Sequence, residues 1–248
     1  MSWNFTIGLI SSVSLFLPVA LIIALRLYSF RTFPYLLAYY IIAFICNVFT
    51  EGYINPGSRA IYYSGITNNL LDAPLMLSFL AYFSTSVSFT RRMRILVLLF
   101  LVFEAVVIIL KGFNVGAITI ILAPTLIAVL SFCVLFFVRQ TKLAIMHHKA
   151  TGKALIVSSL LFAYGCYIII YLIFYIFKTK DVANTFVIFF IVTTLSSLMM
   201  CAGIIMEKKR VRKLVELKVV RKELSDLYNE PKTTIPFQNS ITDKERFN

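Results

Sequence analysis

Acidic residues are scarce in this sequence, and the few that occur are unevenly placed. Only 11 of the 248 residues are Asp or Glu, and charged residues of both signs make up 14%. Hydrophobic residues account for 60%, whereas a soluble domain averages about 45–50% apolar and about 25% charged residues. This composition excludes a water-soluble enzyme and predicts an integral membrane protein. Seven of the acidic residues follow residue 206, which leaves four for the rest of the chain: Glu51, Asp72, Glu104 and Asp181.

Cysteine and histidine are also scarce, which limits metal and redox chemistry. The four cysteines fall in four different apolar stretches, and the two histidines, His147 and His148, are adjacent in a polar segment. These positions predict neither a disulfide framework nor a zinc site. They also exclude the buried His/Asp metal centre of an intramembrane hydrolase. We therefore expect no metal site, no catalytic residues and a protein that is not an enzyme.

Seven apolar stretches are long enough to cross a bilayer. A hydrocarbon core about 30 Å thick needs roughly 20 apolar residues per helix. Residues 117–138 form an almost unbroken apolar run, whereas barrel strands are about ten residues long and alternate strictly. The sequence therefore predicts an all-α fold, with a seven-helix transmembrane domain over residues 1–206. Its spans are approximately 5–29, 33–53, 62–86, 94–112, 115–138, 153–177 and 182–206.

Basic residues in the short connections are concentrated on one side of the predicted bundle. Nine lie on that side and four on the other. Because Lys and Arg accumulate on the cytoplasmic side, we expect a multi-pass protein of the cell membrane with its N-terminus outside and its C-terminus in the cytoplasm. The nine are Arg26, Arg31, Arg91, Arg92, Arg94, Arg139, Lys142, Lys149 and Lys153.

Polar side chains from several spans are predicted at a common depth. A rise of 1.5 Å per residue places Asp72 and Glu104 near the bilayer midplane, where an ionisable group costs at least about 2.5–3.5 kcal/mol on insertion scales. Groups kept at that cost usually face the bundle interior and mark a function. We therefore predict a ligand or proton pocket formed by Asp72, Asn68, Asn69, Asn47, Glu104, Tyr164, Tyr167, Thr193 and Ser196.

The uncharged members of this layer have a second interpretation. Asn, Ser, Thr and Tyr often serve only as hydrogen bonds between helices, worth about 0.6 kcal/mol on average. The sixth span carries Tyr164, Tyr167, Tyr171 and Tyr175 on one face, and the outer members also fit an aromatic belt at the interface. Glu51, close to the outer end of the second span, is expected only to extend toward water.

Two of the spans resemble helices of microbial rhodopsins. Residues 68–77 (NNLLDAPLML) resemble the third helix of that family, where a counterion carboxylate is followed by a polar pair, a proline and a leucine-rich run. In the sixth span, Ala163-Tyr164-Gly165 is similar to the family's Ala-Tyr-Pro. Seven helices with an external N-terminus match its topology. The resemblance implies a rhodopsin-like bundle with a central pocket.

The chain departs from that family at the positions that handle retinal. The family's primary counterion falls on Asn68, which is neutral, and Asp72 occupies the position of a family threonine. The family attaches retinal to a lysine in the middle of the seventh helix, and residues 186–206 contain no lysine. Covalent retinal is therefore excluded, and no cofactor is expected. The resemblance then implies a pocket that binds an apolar ligand non-covalently, or no ligand.

The segment after the last span is strongly basic. Residues 207–222 carry eight Lys or Arg against two Glu, and Leu217, Val220, Leu224 and Leu227 recur at helical spacing. This pattern predicts a basic amphipathic cytoplasmic helix over 207–230, followed by a disordered tail over 231–248. We expect the helix to contact anionic lipids of the inner leaflet, or to bind a cytosolic protein or a second copy of the chain, and we expect no nucleic acid partner. The basic residues at its start are Lys208, Lys209, Arg210, Arg212 and Lys213.

These features favour a membrane receptor or sensor. Its pocket around Asp72 would bind a ligand or exchange a proton, and the change would be signalled through the basic tail. One alternative is a proton-coupled transporter or channel that uses Asp72 and Glu104. Another is a membrane enzyme that acts on a lipid.

Overall fold

The computed structural model describes residues 3–84, 86–147, 150–173 and 182–229. Over these residues the chain is helical and contains no strand. The chain divides into two compact units, Met1–Arg210 and Val211–Asn248. The first is a helical bundle, and the described part of the second is helical as far as Asn229. The predicted tail 231–248, Tyr175 and the connection 178–181 lie outside the described residues.

Seven α-helices follow one another along the described residues, and they fall on the seven apolar stretches of the sequence. A single 3₁₀ turn follows the third helix. Short polar or glycine-containing segments separate most of the helices. The helices are α1 (Trp3–Ala24), α2 (Phe33–Thr50), α3 (Ser58–Leu80, then the 3₁₀ turn Ala81–Phe83), α4 (Val87–Lys111), α5 (Val115–His147), α6 (Thr151–Tyr171) and α7 (Val182–Asn229).

Among the described residues, six helices are long and apolar enough to cross a membrane, which is consistent with a polytopic membrane protein. Their apolar segments are Thr6–Ala24, Phe33–Thr50, Val87–Lys111, Val115–Met146, Thr151–Tyr171 and Val187–Lys213. The helix outside this set is α3, whose first half carries Ser64, Asn68, Asn69 and Asp72. The predicted span 62–86, and with it the count of seven spans and their orientation, stays a prediction.

Two helix ends differ from the ends of the apolar runs. Helix α1 ends at Ala24, five residues before the end of the predicted span, because Arg26 adopts a left-handed backbone conformation with φ of 53°. Arg31, later in the same connection, is also left-handed, with φ of 48°. Leu27 is folded back into the core between them. Helix α5 continues through Arg139 to His147, since polar residues with good helix propensity extend a helix beyond its apolar run.

The helices alternate in direction, which gives the bundle two distinct ends. At one end, called here the Glu51 end, α2 finishes beside the start of α1. At the other, called here the Glu207 end, the hydroxyl of Thr32 donates to the carbonyl of Phe79 at 3.3 Å. There the Lys208 ammonium also donates to the Leu25 carbonyl at 2.7 Å, so α7 passes the end of α1.

The core is most aromatic toward the Glu207 end. Phe33, Phe79, Tyr82, Phe83 and Phe136 are all buried. Their neighbouring rings meet mostly edge to face, with centroids 5.3–5.8 Å apart. This is the geometry that aromatic quadrupoles favour. The cluster joins α2, the end of α3 and α5 into one packed layer.

Helices α6 and α7 approach most closely at two glycines. A Cβ atom at Gly152 would lie 2.5 Å from the Glu207 backbone nitrogen, and one at Gly203 would lie 2.9 Å from the Ile156 backbone nitrogen. Only residues without a side chain fit at these points. Small residues at helix contacts allow this kind of close packing in membrane proteins, and the contact fixes α7 against α6.

Candidate functional site

A cavity of about 460 Å³ opens within the bundle toward the Glu51 end. This volume lies within the range of small-molecule pockets, about 300–1,000 Å³. Six residues of the predicted pocket line it, namely Asn47, Asn68, Asn69, Asp72, Tyr167 and Thr193. The other lining residues are Leu15, Tyr39, Ala43, Cys46, Thr50, Glu51, Leu122, Leu126, Ile170, Tyr171, Phe189 and Phe190.

Asp72 is held at the inner wall of the cavity by a tyrosine from another helix. The hydroxyl of Tyr164, on α6, donates to Asp72 Oδ1, on α3, at 2.5 Å. Tyr164 is only 1% exposed and belongs to the core. It lines a small void of about 20 Å³ rather than the large cavity. The hydrogen bond therefore links the cavity wall to the packed centre of the bundle.

Asn47 is oriented by a contact between α2 and α1. Its Nδ2 donates to the hydroxyl oxygen of Ser12 at 2.8 Å, and Ser12 in turn donates to the Gly8 carbonyl at 3.0 Å. All the atoms of this chain of hydrogen bonds are buried. Ser12 is a positioning residue that the sequence alone did not indicate, because a single serine in an apolar helix carries no pattern.

Glu51 lines the cavity, which the sequence did not predict. Its carboxylate lies against the backbone of Gly8, since a Cβ atom on Gly8 would come within 2.2 Å of Glu51 Oε2. Glu51 therefore packs against α1 at this end of the cavity. The sequence offered one signal for this position, because Asn47 and Glu51 are four residues apart and so share a helix face.

Aromatic side chains from α6 and α7 form the opposite wall. Tyr167 and Phe189 are stacked, with centroids 5.6 Å apart and an interplanar angle of 27°. The hydroxyl oxygens of Tyr167 and Thr193 are 3.4 Å apart. Further toward the Glu51 end, the Tyr171 hydroxyl donates to the Thr119 carbonyl of α5 at 3.2 Å. These contacts hold the tyrosine face of α6 toward the cavity.

Ser196 lies one turn deeper than the cavity. Its hydroxyl donates to the Thr193 carbonyl at 3.1 Å, and its own carbonyl accepts the Ser159 hydroxyl at 2.7 Å. It borders the small void beside Tyr164. Ser196 therefore joins α6 to α7 beneath the cavity and does not line it.

The structure places Glu104 outside the cavity lining. Glu104 is buried on α4, one turn from Val107, and its Oε1 has no hydrogen-bond partner among the described residues. Val107 packs with Ala117 and Ile121 in a small satellite cluster. Counting residues along a helix gives the depth of a side chain but not the direction it faces, so depth alone grouped Glu104 with Asp72.

The basic residues predicted for the surface have different environments. Arg210 is bonded through Nε to the fully buried Glu207 Oε2 at 2.9 Å, and its Nη2 donates to the Tyr82 hydroxyl at 3.2 Å. The Tyr82 hydroxyl also donates to Glu207, and the Lys153 ammonium lies 4.2 Å from the Tyr82 ring centroid. Arg210 therefore belongs to an ionic cluster of the bundle. Three others are exposed, namely Lys209, Arg212 and Lys213.

The second unit shows one exposed ion pair and an exposed apolar stripe. Arg212 Nε lies 3.0 Å from Glu216 Oε1, and both side chains are mostly in solvent. Leu217, Val220 and Leu224 are each about half exposed, and the side chain of Leu227 lies outside the described ones. The stripe has the spacing that the sequence predicts for an amphipathic helix.

Comparison with known proteins gives no relative for this chain. No protein-family model, curated protein or solved structure matches it. Within the described residues, no group of three or more His, Cys, Asp or Glu side chains could hold a metal ion.

Proposed function

We propose that this protein is a membrane receptor or sensor that binds a small molecule in the cavity around Asp72. The observation that supports this most is the cavity itself. It is large enough for a small ligand, and its wall combines apolar and aromatic surface with a few convergent polar groups, which is typical of ligand sites. In this proposal the N-terminus is outside, so the cavity opens toward the outer side.

Helix α7 offers a route for the signal. Thr193 lines the cavity, and Glu207 lies 14 residues further along the same helix, about 21 Å at 1.5 Å per residue. The close contact at Gly203 joins α7 to α6 between these points. A ligand that favours one position of α7 would therefore change the ionic cluster of Glu207, Arg210 and Tyr82. Such a shift requires different ligand affinities for two states of the bundle.

A rhodopsin-like architecture without covalent retinal is part of the same proposal. The α7 residues at the cavity are Phe189, Phe190 and Thr193, so the wall that carries a lysine in microbial rhodopsins is uncharged here. A ligand would be held without a covalent bond.

Native mass spectrometry of the purified full-length protein tests ligand binding. We expect a bound small molecule, and we expect Ala43→Trp to remove it, because an indole at this lining position fills part of the cavity. The matched control is Ile45→Trp on the same helix, whose side chain is 43% exposed and does not line the cavity. Equal retention of the bound mass by both variants would contradict the proposal.

Transport is the second candidate, and it is favoured by the buried position of Glu104. Glu104 is buried and its Oε1 has no hydrogen-bond partner among the described residues, which makes the carboxylate costly to keep charged. A proton held on Glu104 would then take part in a relay with Asp72. Vesicles reconstituted with the protein would then show a pH-driven flux that Asp72→Asn abolishes. Vesicles that show no pH-driven flux, from a protein that carries a bound ligand which Ala43→Trp removes, would favour the receptor.

A further inference from the structure

Among the described residues that line the cavity, the side chains that carry a charge are all acidic. Glu51 and Asp72 supply carboxyl groups, and none of the described lining residues is Lys, Arg or His. The hydrogen-bond donor to Asp72 is the neutral hydroxyl of Tyr164. A carboxylate removed from water is stabilised best by a cation, and the described cavity wall provides none.

The two carboxyl groups come from different helices and lie among aromatic rings. Tyr39, Tyr167 and Phe189 line the same cavity, and the last two are stacked. Aromatic faces attract ammonium groups through the ring quadrupole, and the attraction strengthens where water is excluded. Carboxylates and aromatic faces around one space therefore both favour a positively charged occupant.

The remaining wall sets the size and polarity of that occupant. A volume of about 460 Å³ greatly exceeds a bare metal ion, and no cluster of metal ligands occurs among the described residues. Leu126 and Ile170 add apolar surface. An occupant that satisfies this wall carries an apolar body as well as a positive charge.

We propose that the cavity binds an organic cation, with its ammonium group beside Asp72 and the aromatic wall, its apolar body against Leu126 and Ile170, and Glu51 adding a second negative charge at the opening. This inference rests on the proposed function, since it names the chemical class of the ligand for the same cavity. It differs from the apolar ligand that the rhodopsin resemblance implies.

Three probes with the same apolar body and different head groups test the charge preference. Equilibrium dialysis of the full-length protein in lipid nanodiscs would compare phenylbutylammonium, phenylbutanol and phenylbutanoate, with empty nanodiscs subtracted. We expect the ammonium probe to bind at least about tenfold more tightly than the alcohol, as expected for a desolvated cation–aromatic contact. The carboxylate probe should bind most weakly.

Variants assign the preference to this cavity. Asp72→Asn and Glu51→Gln should each reduce the preference for the ammonium probe, and Phe189→Leu should weaken it without changing any charge. Glu216→Gln is the charge-matched control, because this exposed carboxyl group does not line the cavity and its loss should leave the preference unchanged. Thermal unfolding of each variant without probe verifies that it is folded.

The outcomes separate this inference from the proposed function. Binding of the alcohol as tight as that of the ammonium probe, with a bound mass that Ala43→Trp removes, would overturn the cation and leave a ligand-binding cavity. A cation preference that survives both Asp72→Asn and Glu51→Gln would also overturn it. Failure of all three probes to bind, together with no bound mass, would overturn both.

Discussion

The contact between α6 and α7 predicts opposite effects for the same substitution at two positions of one helix. At Gly152, an alanine Cβ would lie 2.5 Å from the Glu207 nitrogen and 2.9 Å from its Cα. These are backbone atoms that no side-chain rotation can move, so the helices must separate. At Gly165, also on α6, a Cβ would meet nothing within 4 Å.

The two expected free energies differ in sign. Overpacking a closely packed contact costs about 1–3 kcal/mol, so Gly152→Ala should destabilise the protein by about that amount. Alanine is favoured over glycine within a helix by about 0.5–1 kcal/mol, so Gly165→Ala should stabilise it. Their unfolding free energies should therefore differ by roughly 1.5–4 kcal/mol.

Reversible unfolding of the purified protein in mixed micelles, followed by circular dichroism, measures this difference. Gly203→Ala provides a second test, because its Cβ would lie 2.9 Å from the Ile156 nitrogen and 3.2 Å from the Gly152 carbonyl oxygen. Since the two glycines share one contact, the double variant should lose less than the sum of the single losses. Equal stabilities of Gly152→Ala and Gly165→Ala would refute the close packing of α6 on α7.

Two further substitutions test the polar contacts of the bundle by the same unfolding measurement. Arg210→Ala removes the ionic partner of the buried Glu207 and should lower the unfolding free energy by about 3–5 kcal/mol. Arg212→Ala breaks an exposed ion pair and should lower it by at most about 1 kcal/mol. Equal losses of stability would contradict the burial of Glu207. Ser12→Ala removes the acceptor of the buried Asn47 amide and should cost about 1–3 kcal/mol, and an unchanged stability would show that this amide has another partner.

The positions of the helices could be predicted because apolar runs and the polar residues between them are local signals. Six runs lie on helices that satisfy both length and hydropathy for a membrane span. The helix ends were harder to predict, because the turn after α1 depends on the left-handed conformation of Arg26 and on the packing of Leu27 into the core. Neither follows from composition.

The sequence also predicted only part of the candidate site, namely the depth of its residues and not the direction in which they face. Depth along a helix is a count of residues, and it grouped Asn69, Asp72 and Thr193, which line one cavity in the structure. The direction in which a helix face points depends on the neighbouring helices. Depth alone therefore placed Glu104 in the predicted pocket, although it does not line the cavity, and did not indicate Ser12, which orients Asn47. Sequence spacing resolves facing only where two polar residues lie on the same helix face.

Helix α3 shows why the cavity and the predicted span 62–86 depend on each other. Its polar residues Asn68, Asn69 and Asp72 lower its hydropathy below that of the other six helices. A helix with such groups is costly in contact with lipid, because each polar group would lose water without gaining a partner. In the bundle these three residues line the cavity, and Met76 and Phe79 in the following turns are fully buried. If α3 crosses the membrane, the cavity is therefore what makes that crossing tolerable, because the polar side chains of α3 face the cavity and not lipid.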